Sequence, residues 1–245
     1  MGYDVPTAYA QLIGPRYGVI ADRLLEAACV NRDDDVLEVG AGTGVVTVRA
    51  APMARSVVAT DLSAPMLENA RQSLCGAQNV SYLVVDYGSP LPFLPRSFTL
   101  VLSGLTYVQD SLGALREMHR VLRPGGRLAL SMWGSSYHEK RLMNAALKTV
   151  AGQRFPPASP TTATRRLERA GFSFVQRSDI ESTNHFPSVD DYIAYRRGFG
   201  RPTAWTHSLY KRFLDVLATE ASKTATPDGA FDLGWKHTII IARRR

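Results

Sequence analysis

Apolar residues recur along this chain at two alternating spacings. Short apolar runs at 35–39, 56–60, 81–85, 98–103 and 127–133 read as buried strands. Between them the apolar positions fall three or four residues apart, the spacing of one helical face. Ser63 reads as an N-cap with Pro65 in the first turn, followed by Met66, Leu67 and Ala70. Leu112, Leu115, Met118, His119 and Leu122 form the next stripe, stopped by Pro124-Gly125-Gly126. Strict strand–helix alternation predicts an α/β fold with a parallel sheet and right-handed crossovers. Ahead of it, residues 1–34 form a helical leader whose Tyr17, Ile20, Ala21, Leu24, Leu25 and Ala28 share one face. Beyond residue 134 the pattern predicts helices at 138–151 and 162–170, the latter ended by Gly171. It then predicts strands from Phe172 to Ser178 and from Thr238 to Ala242. Between those strands lie helical segments near 188–197 and 205–223. The segment is too long for a hairpin loop, so 179–236 reads as a cap insertion.

The first strand runs into Glu38-Val39-Gly40-Ala41-Gly42-Thr43-Gly44, and Asp61 ends the second apolar run. A glycine-rich turn after one strand and a carboxylate ending the next describe a nucleoside crevice, with the acid on the ribose. Three details argue against a nicotinamide dinucleotide. Val45 stands where the dinucleotide fingerprint needs glycine or alanine, Asp61 would repel a ribose 2′-phosphate, and the strand starts behind a long leader. S-adenosylmethionine has ribose and adenine but no phosphate. A glycine then serves close backbone approach to its methionyl part.

Further segments follow in order. Val84-Val85-Asp86-Tyr87 ends the third strand, and Leu91-Pro92-Phe93 with Ser97-Phe98 leads into the fourth. Leu115 to Leu128, with Glu117, Arg120-Val121-Leu122 and Pro124-Gly125-Gly126, leads into the fifth. Together with the glycine loop this series, over residues 30–133, resembles the class I S-adenosylmethionine-dependent methyltransferases, particularly the small-molecule branch of ubiquinone and menaquinone type. The resemblance implies a Rossmann-like, seven-stranded, mostly parallel sheet with helices on both faces, an antiparallel last strand and a helical cap before it. It implies S-adenosylmethionine as cofactor and S-adenosylhomocysteine as product, held by Glu38, Gly40, Ala41, Gly42, Gly44, Asp61, Leu62, Asp86, Tyr87 and Ser103. In that set Asp86 receives the adenine amino group and Ser103 lies beside the methyl. One departure is Thr99, where an aspartate usually follows the phenylalanine.

Composition changes this picture little. The 245 residues carry a net charge of +7, with 45% hydrophobic and 21% charged residues. These are globular values, compatible with one domain over 1–245. Three of the positive charges are Arg243, Arg244 and Arg245, and the other basic residues are scattered. This argues against a nucleic-acid partner. No apolar stretch approaches the roughly 18 residues of a membrane span. No signal-like leader opens the chain, and Pro6 spoils the myristoylation pattern of Met1-Gly2. Cys29 and Cys75 form no metal or redox spacing, so a cytoplasmic setting is expected. No acidic cluster suggests a catalytic metal. A homodimer is left open.

Methyl transfer needs the acceptor held in line with the methyl–sulfur bond, and a base only for a hydroxyl acceptor. His185 and His138 are the candidate bases. His119 reads as core packing, and His237 as the start of the last strand, away from the crevice. Tyr17, Tyr107, Trp133, Tyr192 and Tyr195 are candidate walls for an aromatic or polyketide-like acceptor. Ser103-Gly104-Leu105-Thr106 stands where amine methyltransferases of adenine or glutamine carry Asn-Pro-Pro-Tyr or Asp-Pro-Pro-Tyr. No Pro-Cys pair offers a nucleophile for pyrimidine methylation. The expected activity is O- or N-methylation of a small secondary metabolite, for instance in antibiotic biosynthesis. The alternatives are a nucleic-acid or protein methyltransferase, or a protein of this fold that binds the cofactor without methylating, as a cyclase, lyase or regulator.

Overall fold

The computed structural model describes residues 3–4, 14–74, 76–104, 108, 111–133, 138–153, 160–202 and 204–245. The chain divides into two compact units. One, the sheet unit, comprises Tyr17–Trp133, Ala158–Ile180 and His237–Arg245. The second comprises Met1–Arg16, Gly134–Pro157 and Glu181–Lys236. The segment 179–236 read as a cap falls almost wholly in the second unit.

The sheet has seven strands: β1 (Asp35–Val39), β2 (Ser56–Asp61), β3 (Val80–Val84), β4 (Phe98–Ser103), β5 (Leu122–Trp133), β6 (Phe172–Phe186) and β7 (Phe231–Arg244). Their order is β3-β2-β1-β4-β5-β7-β6. The pairs β1–β2, β1–β4, β2–β3 and β4–β5 are parallel. Strand β7 runs antiparallel to β5, from Arg127 opposite Arg243 to Trp133 opposite His237. The expected seven strands and antiparallel end are present. Reversal of direction beside β1 places the C-terminal ends of β1 and β4 at a switch point, where open α/β sheets bind ligands.

Alternate residues of the central strands feed two cores. Leu37, Val39, Val101, Leu128 and Leu130 pack with Leu115, Met118 and Val121 of α4 (Leu112–Val121) and with Ala163 and Leu167 of α6 (Pro160–Arg169). Val36, Val57, Leu100, Leu102 and Ala129 pack on the other face with Ala21, Leu24, Leu25 and Ala28 of α1 (Gly14–Ala28). Two short helices, α2 (Thr47–Ala50) and α3 (Ala64–Ser73), follow the glycine loop and β2. The helix α3 begins as its sequence predicts: the Ser63 hydroxyl accepts from Met66 N, and Pro65 occupies the first turn.

Three strand boundaries differ from expectation. Strand β5 starts at Leu122, because Leu122 pairs with Phe98 across a register shift before the Pro-Gly-Gly segment. Strands β6 and β7 extend to Phe186 and from Phe231, well past Ser178 and before Thr238. The added end of β6 is a polar run, Ser182-Thr183-Asn184-His185, and that of β7 is interrupted by Gly234, so neither carries a strong strand signal until its neighbouring strand is known.

The terminal arginines have structural work. Arg244 Nη1 donates to the carbonyls of His119, Arg120 and Leu122, capping the C-terminal end of α4. Arg243 Nη1 donates to the Gly125 carbonyl at 3.3 Å. Thr99 is likewise structural: its hydroxyl donates to Asp34 Oδ1 at 2.8 Å and accepts from Asp35 N at 3.0 Å. Buried Asp34 also pairs with Arg127 at 2.6 Å.

In the second unit α8 (His207–Ser222) packs on α5 (His138–Ala151) and α7 (Val189–Gly198). A two-residue antiparallel ladder joins Tyr3–Asp4 to Arg201–Pro202. A buried ion pair, Arg196 to Glu139 at 2.8 Å, links α7 and α5. Among the described residues no helix is long and apolar enough to cross a membrane.

Candidate cofactor site and candidate catalytic residues

The glycine loop is a backbone device. Gly40, Gly42 and Gly44 have φ of 75°, 57° and 85°, the left-handed region that side chains resist. The amides of Gly40 and Ala41 both donate to the Thr60 carbonyl at 2.8 Å, tying the exit of β1 to the end of β2. The Thr60 hydroxyl returns the tie by donating to the Glu38 carbonyl at 2.7 Å. The glycines differ in purpose. A Cβ on Gly44 would meet the Ala70 Cβ at 2.8 Å, so Gly44 lets α3 approach. A Cβ on Gly42 would meet nothing within 4 Å, so the space over Gly42 is open.

Asp61 stands at the end of β2 facing that loop. Its Oδ2 accepts from Gly42 N at 2.8 Å and its Oδ1 from Ser63 N at 2.9 Å. Two backbone donors thus fix a charged acceptor at the strand end, beside the N-terminus of α3. The adjoining Leu62 is 65% exposed, an apolar surface beside the acid. Asp86, after β3, is exposed, and its Oδ1 accepts from Gly88 N at 2.8 Å, closing a turn. Tyr87 is half-buried against the core. Ser103 is fully buried, and its hydroxyl donates to the Val39 carbonyl at 2.9 Å, joining the ends of β4 and β1.

Glu38 lies beneath the loop, 1% exposed. Its Oε2 accepts from the Thr47 hydroxyl of α2. Burial pushes its carboxyl up to about 7; the Thr47 bond opposes the shift and the charge of Asp61 adds to it. Sequence reading found Glu38 but missed Thr47 and Thr60. A threonine in the first helical turn after such a loop was the available signal for Thr47.

The sheet unit also groups three of the aromatic residues. Trp133 lies 4.3 Å from the His237 ring and 6.2 Å from Tyr17, ring centre to ring centre. His237 therefore needs a correction. It is the seventh residue of β7, and an antiparallel last strand enters at the edge where the parallel strands end, so His237 lies on that edge opposite Trp133. It is buried, and burial pushes its imidazole down to about 3, against a hydrogen bond with the Met132 backbone.

The candidate bases belong to the second unit. His185 Nδ1 lies 2.7 Å from Asp232 Oδ1, with both side chains 67% exposed. The His138 ring lies tilted against Phe231, 5.8 Å centre to centre, and burial, then the charge of Arg141, holds its imidazole below the usual value. Tyr192 and Tyr195 are buried in a ring cluster with Phe186, and Tyr192 also meets Phe231 at 5.0 Å. His119 packs edge-on against Phe172 in the sheet unit. Tyr107 lies outside the described residues. Among the described residues no group of three or more His, Cys, Asp or Glu is arranged to hold a metal.

Known proteins resemble this chain in sequence and fold. Residues 36–126 match the family model described as a methyltransferase domain. Demethylmenaquinone methyltransferase of Tropheryma whipplei (strain Twist) is 37% identical over 110 residues, 42% of this chain and 45% of that protein. The chain thus spans about half the length of that relative. Mitochondrial arginine-hydroxylase NDUFAF5 of Danio rerio is 30% identical over 242 residues, 89% of this chain and 72% of that protein. A solved structure of a methyltransferase-like protein from Bacillus halodurans C-125 covers 91% of this chain and 98% of its own, with a TM-score of 0.69 and 21% identity. The chain belongs to the class I S-adenosylmethionine-dependent methyltransferase family. The residues present fit the family's cofactor: the space over Gly42 is open, Asp61 holds a fixed carboxylate at the strand end, and a buried acid lies beneath the loop.

Proposed function

We propose that the protein transfers a methyl group from S-adenosylmethionine to an oxygen or nitrogen of a small organic acceptor, within secondary metabolism. The observation that carries the reading is Asp61, pinned by Gly42 N and Ser63 N at the mouth of a left-handed glycine turn. A carboxylate so placed accepts both ribose hydroxyls, and Gly42 gives the methionyl part room. When bound, the cofactor supplies an electrophilic methyl on a sulfonium. This chain's residues orient the reactants, and for a hydroxyl acceptor one of them takes its proton. For that role we propose His185, with His138 as the alternative. The Asp232 contact at Nδ1 leaves His185 Nε2 to accept. Trp133 and Tyr17 are proposed to line the acceptor. A nucleic-acid acceptor is not favoured, since Arg243 and Arg244 are engaged with backbone carbonyls. A cytoplasmic location is part of the proposal.

The test is incubation with S-adenosylmethionine and a panel of phenols, hydroxylated polyketides and amines, read by mass spectrometry. Formation of S-adenosylhomocysteine with a product heavier by one methylene supports the reading. Tight cofactor binding without that product supports a second reading, a non-methylating member of the fold. The hydroxylase named above, aligned over 89% of this chain, is what favours keeping it.

A further inference from the structure

Glu38 is an unusual place for a charge. It sits on β1, the strand between β2 and β4, with Val36, Leu37 and Val39 around it in the core. Among the described residues no Lys, Arg or His pairs with it. The groups that face it are the neutral hydroxyl of Thr47 on α2, the carboxylate of Asp61 on β2, and the phenol of Tyr82 on β3, which feels its charge. A buried carboxyl with one neutral donor and a second carboxylate nearby is better off as the acid. A cation arriving in the loop would reverse that preference.

We propose that Glu38 is protonated in the cofactor-free protein and releases its proton when the ammonium of a methionyl arm enters the glycine loop, so that cofactor binding is linked to loss of one proton. The inference rests on the cofactor reading given above. The O–H bond of Glu38 breaks, the proton passes to solvent, and the carboxylate formed faces an ammonium that keeps all its protons. No oxidation state changes. A carboxyl pushed up to about 7 makes the effect visible near neutral pH. Below that value the proton must be expelled, and affinity falls as pH falls, by up to about tenfold per pH unit. Above it the carboxylate already exists and affinity levels off.

S-adenosylhomocysteine is the probe, titrated calorimetrically into the full chain in pairs of buffers with different ionisation heats. The expected release is about one proton near pH 6, falling toward zero near pH 8.5. Glu38→Gln should release none and bind with a flat pH profile. Should that variant fail to fold, Thr47→Val serves: losing the donor that favours the carboxylate moves the release to higher pH. Wild-type binding without proton release near pH 6 overturns the inference and leaves the cofactor site intact. So does release that persists in Glu38→Gln. Absence of binding at every pH overturns the cofactor reading with it.

Discussion

The glycine loop of the sheet unit and the aromatic cluster of the second unit both hold ionisable groups, and hold them by different means. In the loop Asp61 takes two backbone amides, Thr60 takes two more on its carbonyl, and buried Glu38 is held by the Thr47 hydroxyl. In the second unit the rings of Tyr192, Tyr195, Phe186 and Phe231 are packed core, while His185 and Asp232 meet in solvent. A pair so exposed contributes roughly 0–1 kcal/mol. A site built on strand ends therefore comes with its geometry prepaid, whereas the exposed dyad has only its partner to orient it.

The comparison can be broken most sharply at Gly42. Gly42→Val should abolish S-adenosylhomocysteine binding while thermal unfolding shifts only modestly. A β-branched residue at φ 57° is strained by about 1–3 kcal/mol, and its side chain fills open space instead of the core. Normal binding by this variant would remove the loop from the site. In the second unit, Glu139→Ala leaves Arg196 buried without its carboxylate and should cost about 3–5 kcal/mol in denaturant unfolding. A cost under about 1 kcal/mol would show that the pair is wetter than its burial implies.

Glu38→Gln offers a pH-dependent contrast. The carboxyl rises from 4.5 unfolded to about 7 folded, so the wild type is stabilised below pH 4.5 and loses that contribution as pH climbs through 7. Relative to wild type, the glutamine variant should gain up to about 3 kcal/mol between pH 5 and pH 9 without ligand. Parallel stability curves would contradict a buried neutral acid. Smaller again, Asp61→Ala should weaken S-adenosylhomocysteine by about 1–3 kcal/mol, as ribose hydroxyls lose a charged acceptor. Unchanged calorimetric affinity would exclude the ribose role.

What the sequence made legible follows the same division. Strands β1, β2 and β4 are buried on both faces, so their continuous apolar runs mark them without any knowledge of their partners. Asp61 and Glu38 were recognisable because a strand end and a glycine turn fix where they point. The far ends of β6 and β7 were not legible, since residues such as Asp179, Glu181 and Asp232 become strand only through a partner. Position alone also misled about His237. Its burial beside Trp133 depends on pairing between residues about a hundred apart in the chain. Ser103 was placed correctly at a strand end, but nothing in the sequence tells that its hydroxyl turns inward to Val39.

Amide hydrogen exchange with and without S-adenosylhomocysteine tests the central claim most directly, because it reports where the ligand binds as well as whether it does. The account predicts slowed exchange in peptides covering 38–47, 60–66 and 86–88, with residues 207–222 of the second unit unchanged. Protection confined to the second unit, with the glycine loop exchanging as in the free protein, would contradict it.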